Sequence, residues 1–174
     1  NTGEISRYVI YNYLEGSWSI GQLVRTSWLD QDVFDRPVAT FSNTLFNQES
    51  GQDNDGSPMD DVFVESSDFD LQDGNDFVFV RRVIPDIKFA GTNTDSGIPQ
   101  INMVLKTRNE PAETLVTRFN KDVSNNTDQL HVRARGRQAV LRLQSDDDAD
   151  TSNRLGVQWR LGYTRMDIQP DGKR

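Results

Sequence analysis

The chain has 174 residues, no cysteine, and a formal net charge of −8 from 27 acidic and 19 basic groups. This length suits one domain with a sizeable core, and a chain without cysteine has neither disulfides nor thiol chemistry. The acidic balance argues against general nucleic-acid binding, which needs a basic surface. No apolar run has membrane-spanning length or looks like a signal segment, so we expect no membrane partner.

The first part of the chain predicts short strands joined by tight turns. Arg7 to Tyr13 and Trp18 to Trp28 are rich in β-branched and aromatic residues and are separated by a turn, which is typical of a hairpin. Val33 to Phe46 alternates but is interrupted at Ser42-Asn43, which predicts a short pair of edge strands. Residues 1–46 therefore resemble one half of a propeller blade, although a single copy lacks the repetition that defines a propeller.

The segment from Met59 to Lys88 restricts the fold most. Apolar and polar residues alternate in its first half, and Phe77 to Val80 are apolar on both faces of a strand. Gly74 and Asn75 tolerate positive φ, so we predict that the chain reverses there as a hairpin or a slightly longer connection. The second strand is then expected to lie centrally between packed layers or beneath a partner subunit, and to end at Pro85.

The remaining residues predict further strands. From Leu130 the apolar positions alternate, but their phase shifts by one residue at Gly136, which predicts a bulge or a tight reversal. The other predicted elements are strands at 101–107 and 114–119, solvated loops at 121–128 and 146–153, and a resumed β pattern at 155–168.

These short segments, without a convincing helical stretch, predict an all-β fold. We expect residues 1–174 to form a single domain, an antiparallel β-sandwich or jelly roll with little helix, in which residues 59–174 contain the sandwich core. The predicted core residues are Val62, Val64, Phe77, Phe79, Val83, Ile101, Met103, Leu105, Leu130, Val132, Leu141 and Trp159.

Several phrases of the sequence resemble virion structural proteins of tailed bacteriophages. The phrases are ESSDFDLQDGNDFVFVRRVIPDIKF, the upstream YNYLEGSWSIGQLVRTSWLD, and the downstream LKTRNEP, HVRARGRQAVLRLQSD and VQWRLGYTRMDIQPDGKR. They are similar to segments of the long, β-rich, propeller-containing tail tube, nozzle and hub proteins of short-tailed phages. Because those proteins are longer, the resemblance implies that this chain is the C-terminal part of one.

The resemblance also implies a function and a set of partners. It implies a non-enzymatic structural protein of the virion, assembled in the host cytoplasm, with no cofactor. The expected partners are other copies of the chain or other virion proteins. An acidic or neutral lining would let DNA pass through a tail without specific binding, because it does not attract a polyanion.

No catalytic residue is predicted. His131 is the only histidine, so one chain cannot form a triad or a multi-histidine metal site, and its strand position favours a half-exposed structural role. Glu65 is the one candidate for carboxylate chemistry, because it lies in a strand beside an apolar run. An ion pair with Arg81 or Arg82 across the predicted hairpin is the favoured interpretation.

No metal site is predicted either. The clusters Asp53-Asn54-Asp55-Gly56 and Asp146-Asp147-Asp148 with Asp150 offer oxygen ligands that suit calcium. Neither completes an EF-hand loop, since the twelfth position from Asp53 is Val64 and the second cluster has no glycine. Solvated loops are the favoured interpretation.

A basic stripe is the candidate subunit interface. Arg133, Arg135 and Arg137 recur at every second position and, with Arg142, could pair with phosphate or with carboxylates of a neighbouring subunit such as Asp146 and Asp148. In a chain this acidic, carboxylate partners are favoured over DNA. We therefore expect weak, salt-sensitive self-association, with separate solvated surfaces as the alternative.

A second class of function stays open at this point. Trp18, Trp28 or Trp159, if exposed, could stack on sugar rings as aromatic platforms do. The alternative to a virion component is therefore a carbohydrate-binding or carbohydrate-cleaving β-sandwich.

Overall fold

The computed structural model divides the chain into two compact units, Asn1–Gly51 and Gln52–Arg174. All regular structure in the described residues is β and all strand pairings are antiparallel, which confirms the predicted fold class. No helix in those ranges is long and apolar enough to cross a membrane. The described residues are 5–53, 56–57, 59, 62–70, 74–90, 98–145 and 156–173.

The first unit consists of a hairpin and a small sheet. The hairpin pairs β1 with β2, and the sheet has the order β3-β4-β5. Ser42 and Asn43 both adopt positive φ, at 50° and 63°, which is the conformation that a tight two-residue hairpin turn requires. The strands are β1 (Arg7–Asn12), β2 (Ser17–Gln22), β3 (Ser27–Leu29), β4 (Val38–Phe41) and β5 (Thr44–Asn47).

The second unit contains a four-stranded sheet, β10-β9-β12-β6, and a three-stranded sheet, β11-β7-β14, with β8 and β13 as an additional short pair. Side chains from both sheets enter one core cluster, which makes the unit a sandwich. Its strands are β6 (Phe63–Glu65), β7 (Asp76–Ile84), β8 (Ile87–Lys88), β9 (Gln100–Arg108), β10 (Val116–Ser124), β11 (Leu130–Gly136), β12 (Gln138–Ser145), β13 (Arg160–Leu161) and β14 (Arg165–Lys173).

Most of the predicted core is confirmed. Leu130 and Trp159 are partly buried and pack against the core cluster. The predicted core residues that are buried are Val83, Ile101, Met103, Leu105, Val132 and Leu141.

The prediction was wrong for four core residues. Val62 and Val64 are 41% and 49% exposed, because β6 is a three-residue strand at the edge of its sheet. Phe77 and Phe79 are only partly buried, whereas Val78 and Val80 fill the core positions of β7. A strand that is apolar on both faces fits either orientation, so its periodicity could not select one.

The predicted hairpin between the two halves of 59–88 does not form. β6 pairs with β12, whereas β7 lies in the other sheet between β11 and β14. β7 is the central strand of its sheet, so both of its edges already have partners and β6 pairs elsewhere. The predicted packed layer on each face of β7 is not confirmed, because Phe77 and Phe79 on its outer face are only partly buried. β7 ends at Ile84, directly before Pro85, as expected.

The phase shift at Gly136 marks a passage between sheets. Gly136 pairs with Val78 of the three-stranded sheet, and Gln138, two residues later, pairs with Arg108 of the four-stranded sheet. A Cβ on Gly136 would lie 2.5 Å from the Cβ of buried Thr107, so only glycine fits this position.

Two smaller expectations are corrected as well. The predicted bulge or reversal at Gly136 is absent, and the register irregularity of β11 lies earlier, between His131 and Ala134. The predicted loop at 121–128 begins later, because β10 continues to Ser124 and buries Val123 while it pairs with β9.

The Leu105→Ala substitution tests the position of the core. Leu105 is fully buried between the sheets, so the substitution should lower the free energy of unfolding by about 2–5 kcal/mol through lost transfer energy and a residual cavity. Chemical denaturation followed by circular dichroism measures this loss. Leu161→Ala is the matched control, because Leu161 is 37% exposed in the same unit and its substitution should lower the free energy of unfolding by less. Equal losses for the two variants would contradict the described core.

Candidate functional site

The outer face of β11 presents the predicted basic residues. Val132 and Ala134 point into the core and are buried, whereas His131, Arg133 and Arg135 alternate with them and are exposed. The interpretation of His131 as a structural strand residue agrees with this position, although it is exposed rather than half-exposed. Arg133 forms no salt bridge with any described residue.

Arg135 already has a carboxylate partner within its own unit. Its Nε donates to Oδ2 of Asp171 at 2.5 Å, and one terminal nitrogen donates to the Asp171 carbonyl at 3.1 Å. The guanidinium also lies 3.9 Å from the ring centroid of Phe77, a cation–π contact on the outer face of the sheet. Both side chains of the ion pair are about half exposed, so the pair itself contributes little stability.

The other two predicted arginines lie elsewhere. Arg137 follows the end of β11, and its Nε donates to the Gly74 carbonyl, so it does not continue the β11 stripe. Arg142 belongs to β12 in the four-stranded sheet. The sequence spacing therefore grouped residues that the passage at Gly136 separates.

Glu65 lies between two cations on the four-stranded sheet. Its Oε2 accepts from Nζ of Lys106 at 2.8 Å and from Arg142 at 3.4 Å. The hydrogen bond from Lys106 holds the pKa of the Glu65 carboxyl below its ordinary value of 4.5, although burial opposes the shift. The predicted partners Arg81 and Arg82 were wrong, because they belong to β7 in the other sheet.

The surroundings of Glu65 resemble those of Asp171. The guanidinium of Arg142 lies 3.7 Å from the ring centroid of Phe63, and the same guanidinium reaches the Glu65 carboxylate. Two positions on the outer faces therefore combine an arginine, a phenylalanine ring and a carboxylate. Each carboxylate is held by a cation from another strand of the same sheet.

A basic groove lies between β7, β10 and β11. Its floor includes the partly buried rings of Phe79 and Phe119, and no aspartate or glutamate of the described chain lines it. The charged and polar side chains that line this basic groove are Arg81, Arg118, His131 and Arg133. Sequence reasoning missed it, because Arg118 is separated from Arg133 along the chain and no periodic pattern connects them.

The acidic clusters are only partly within the described residues. Asp53 accepts a hydrogen bond from the backbone N–H of Gly56 at 3.1 Å, a local turn contact. Asp55, Asp146, Asp148 and Asp150 lie outside the described ranges. Within those ranges, no three potential metal ligands come together.

The first unit exposes an apolar strand face. On one side of the hairpin Val9 pairs with Ile20 and Tyr11 with Trp18, and these side chains are 50–82% exposed. The Tyr11 and Trp18 ring centroids are 4.4 Å apart, and their planes are inclined by 32°. We call these four side chains the apolar hairpin face. Such exposure of neighbouring large apolar groups is typical of a contact surface.

Comparison with known proteins adds no family. No protein-family model matches the chain, and no curated protein matches its sequence. The likeness to phage tail proteins therefore stays a prediction.

The Glu65→Gln substitution tests the charge arrangement at β6. Because the folded-state pKa of Glu65 is lowered, its stabilisation is present above pH 4.5 and is lost as the pH falls through the folded-state pKa. At neutral pH the variant should lose about 1 kcal/mol of unfolding free energy, since the carboxylate is partly exposed. Denaturation midpoints measured across pH should converge for the two proteins in acid.

Asp128→Asn is the matched control for Glu65→Gln. Asp128 is exposed and forms no salt bridge with a described residue, so the same loss of one charge should leave the midpoint almost unchanged. A Glu65→Gln effect that persists undiminished in acid would contradict an electrostatic origin.

Proposed function

We propose that the chain is a non-enzymatic structural component of a phage virion, in the tail tube, nozzle or hub, that acts through contacts with neighbouring protein chains. The sequence phrases described above supply the likeness to tail proteins. The observation that carries a contact function is the apolar hairpin face. A two-stranded hairpin is marginal in water, and one with Val9, Tyr11, Trp18 and Ile20 exposed gains stability when another surface covers it.

A carbohydrate-binding module is the second candidate, because an exposed aromatic pair favours it. Trp18 is 70% exposed and Trp28 48% exposed, so both are accessible to a sugar ring, whereas Trp159 packs against the core. The aliphatic Val9 and Ile20 beside Trp18 suit a protein contact better. The Tyr11 and Trp18 ring planes are inclined by 32°, so the two rings do not form one continuous flat platform for a sugar chain.

Detection in purified particles tests the virion assignment. Mass spectrometry of purified particles of a phage whose genome encodes this sequence should recover its peptides, in amounts that show the protein to be a stoichiometric component. Replacing Val9 and Ile20 together by serine should reduce incorporation, because the covered apolar area is lost. Leu14→Ser is the control, since Leu14 is 83% exposed in the hairpin turn and lies outside the apolar hairpin face. Absence from particles, together with a robust glycan-array signal, would favour the carbohydrate candidate.

Charge reversal on β11 tests assembly of identical copies. We expect weak self-association that decreases with added salt, and the combined Arg133→Glu and Arg135→Glu substitutions should weaken it further, because they place negative charge on a basic face. Analytical ultracentrifugation over a concentration series measures the association. The control combines Arg160→Glu with Arg165→Glu, which changes the net charge equally at exposed arginines outside β11. Association that responds to neither salt nor the β11 substitutions would exclude this face.

A further inference from the structure

Two outer positions of the sandwich share one arrangement. In each, a guanidinium lies over a phenylalanine ring and binds a carboxylate supplied by another strand of the same unit. The two sets are Arg135, Phe77 and Asp171 on the three-stranded sheet, and Arg142, Phe63 and Glu65 on the four-stranded sheet.

The basic groove brings arginines and phenylalanine rings together without an acid, although none of the guanidinium–ring contacts among the described residues lies there. Arg81, Arg118 and Arg133 line it beside Phe79 and Phe119, and none of these arginines forms a salt bridge with a described residue. Arg118 donates a hydrogen bond from Nε to Oγ1 of Thr107 at 3.2 Å, which orients the side chain, and its terminal nitrogens donate to no described residue. Like charges that line one groove repel one another, and an anion bound between them relieves this repulsion.

We propose that the basic groove binds an aspartate- or glutamate-rich segment of a neighbouring protein chain, whose carboxylates pair with its arginines as Asp171 pairs with Arg135 and Glu65 with Arg142. The proposal rests on the proposed function, because it names the chemistry of a partner in an assembly. The basic groove has a volume of about 870 Å³, which accommodates several residues of an extended peptide. An extended segment presents side chains on one face about every 7 Å, the same spacing at which His131 and Arg133 project from β11.

Carboxylates fit better than the phosphates of nucleic acid. Guanidinium groups bind both anions, so the local chemistry alone does not separate them. The net charge of −8 repels a long polyanion, whose phosphates extend beyond the groove, whereas a short acidic segment places its charge only within it. At the two outer positions where an arginine of the sandwich already binds an anion, that anion is also a carboxylate, Asp171 or Glu65.

A peptide titration tests the proposal on the whole chain. The probe is a fluorescein-labelled peptide, Gln-Ser-Asp-Asp-Asp-Ala-Asp-Thr, and its control replaces every aspartate by asparagine. Fluorescence anisotropy should show binding of the aspartate peptide that weakens with added salt, and no binding of the asparagine peptide. A single-stranded oligothymidylate that is several times longer than the peptide competes in a separate titration and should displace the peptide poorly, because its outer phosphates meet the acidic surface beyond the groove. Absence of peptide binding, or tighter binding of the oligothymidylate, would overturn the proposal.

Substitutions then locate the binding. Arg133→Gln and Arg118→Gln should each weaken the aspartate peptide by at least about tenfold, the size expected for one charge-assisted hydrogen bond. Arg160→Gln, an exposed arginine outside the basic groove, should leave the affinity unchanged. Arg118→Gln also loses its hydrogen bond to Thr107, so a thermal melt of each variant checks that it is folded. If Arg118→Gln unfolds, the Arg133→Gln variant still tests the site, because Arg133 is exposed. Equal effects of Arg133→Gln and Arg160→Gln would show a nonspecific charge effect and refute the site.

The peptide titration and the search for the protein in phage particles can fail separately. Peptide binding by a chain that is absent from phage particles would retain the basic groove and reject the virion function. Detection in particles without peptide binding would retain the virion function and reject the basic groove as a peptide site.

Discussion

The passage of the chain from one sheet to the other at Gly136 is the constraint on which the sandwich depends. β11 and β12 follow each other with one residue between them, yet they belong to opposite sheets that share a single core. The alternation of inward residues must change phase there, because successive strand residues point to opposite faces. Buried Thr107 occupies the space beside Gly136, so a residue with a side chain would not fit at this point of the passage.

This passage also decides which charged groups meet. Arg133 and Arg135 stay on the three-stranded sheet, whereas Arg142 is carried to the outer face of the other sheet, beside Glu65. Each sheet thus obtains an arginine that covers a phenylalanine ring and binds an acid. Partly exposed aromatic rings on an outer face are less costly when a guanidinium covers them, because its flat surface is weakly hydrated. Phe77 can consequently remain outside the core.

The two units differ in how they bury apolar surface. The second unit encloses a core whose central side chains have no solvent exposure, as at Ile101 and Leu105. The first unit has short strands, and its hairpin leaves Trp18 and Ile20 largely exposed. A surface of this kind is stabilised by a covering partner. The chain thus combines a sandwich that has its own apolar core with a unit whose apolar hairpin face is exposed.

The sequence by itself determined the strands and the local turns. The alternation around Arg7 and Trp18 predicted the β1–β2 hairpin, and Ser42-Asn43 marked the β4–β5 turn, because period-two patterns and positive-φ residues act over a few neighbouring positions. Only the tertiary structure decided that Val78 rather than Phe77 enters the core, that Glu65 pairs with Lys106, and that Arg118 joins Arg133. These outcomes depend on which strands become neighbours, and strand pairing brings together residues far apart in the chain, where a local pattern carries no information.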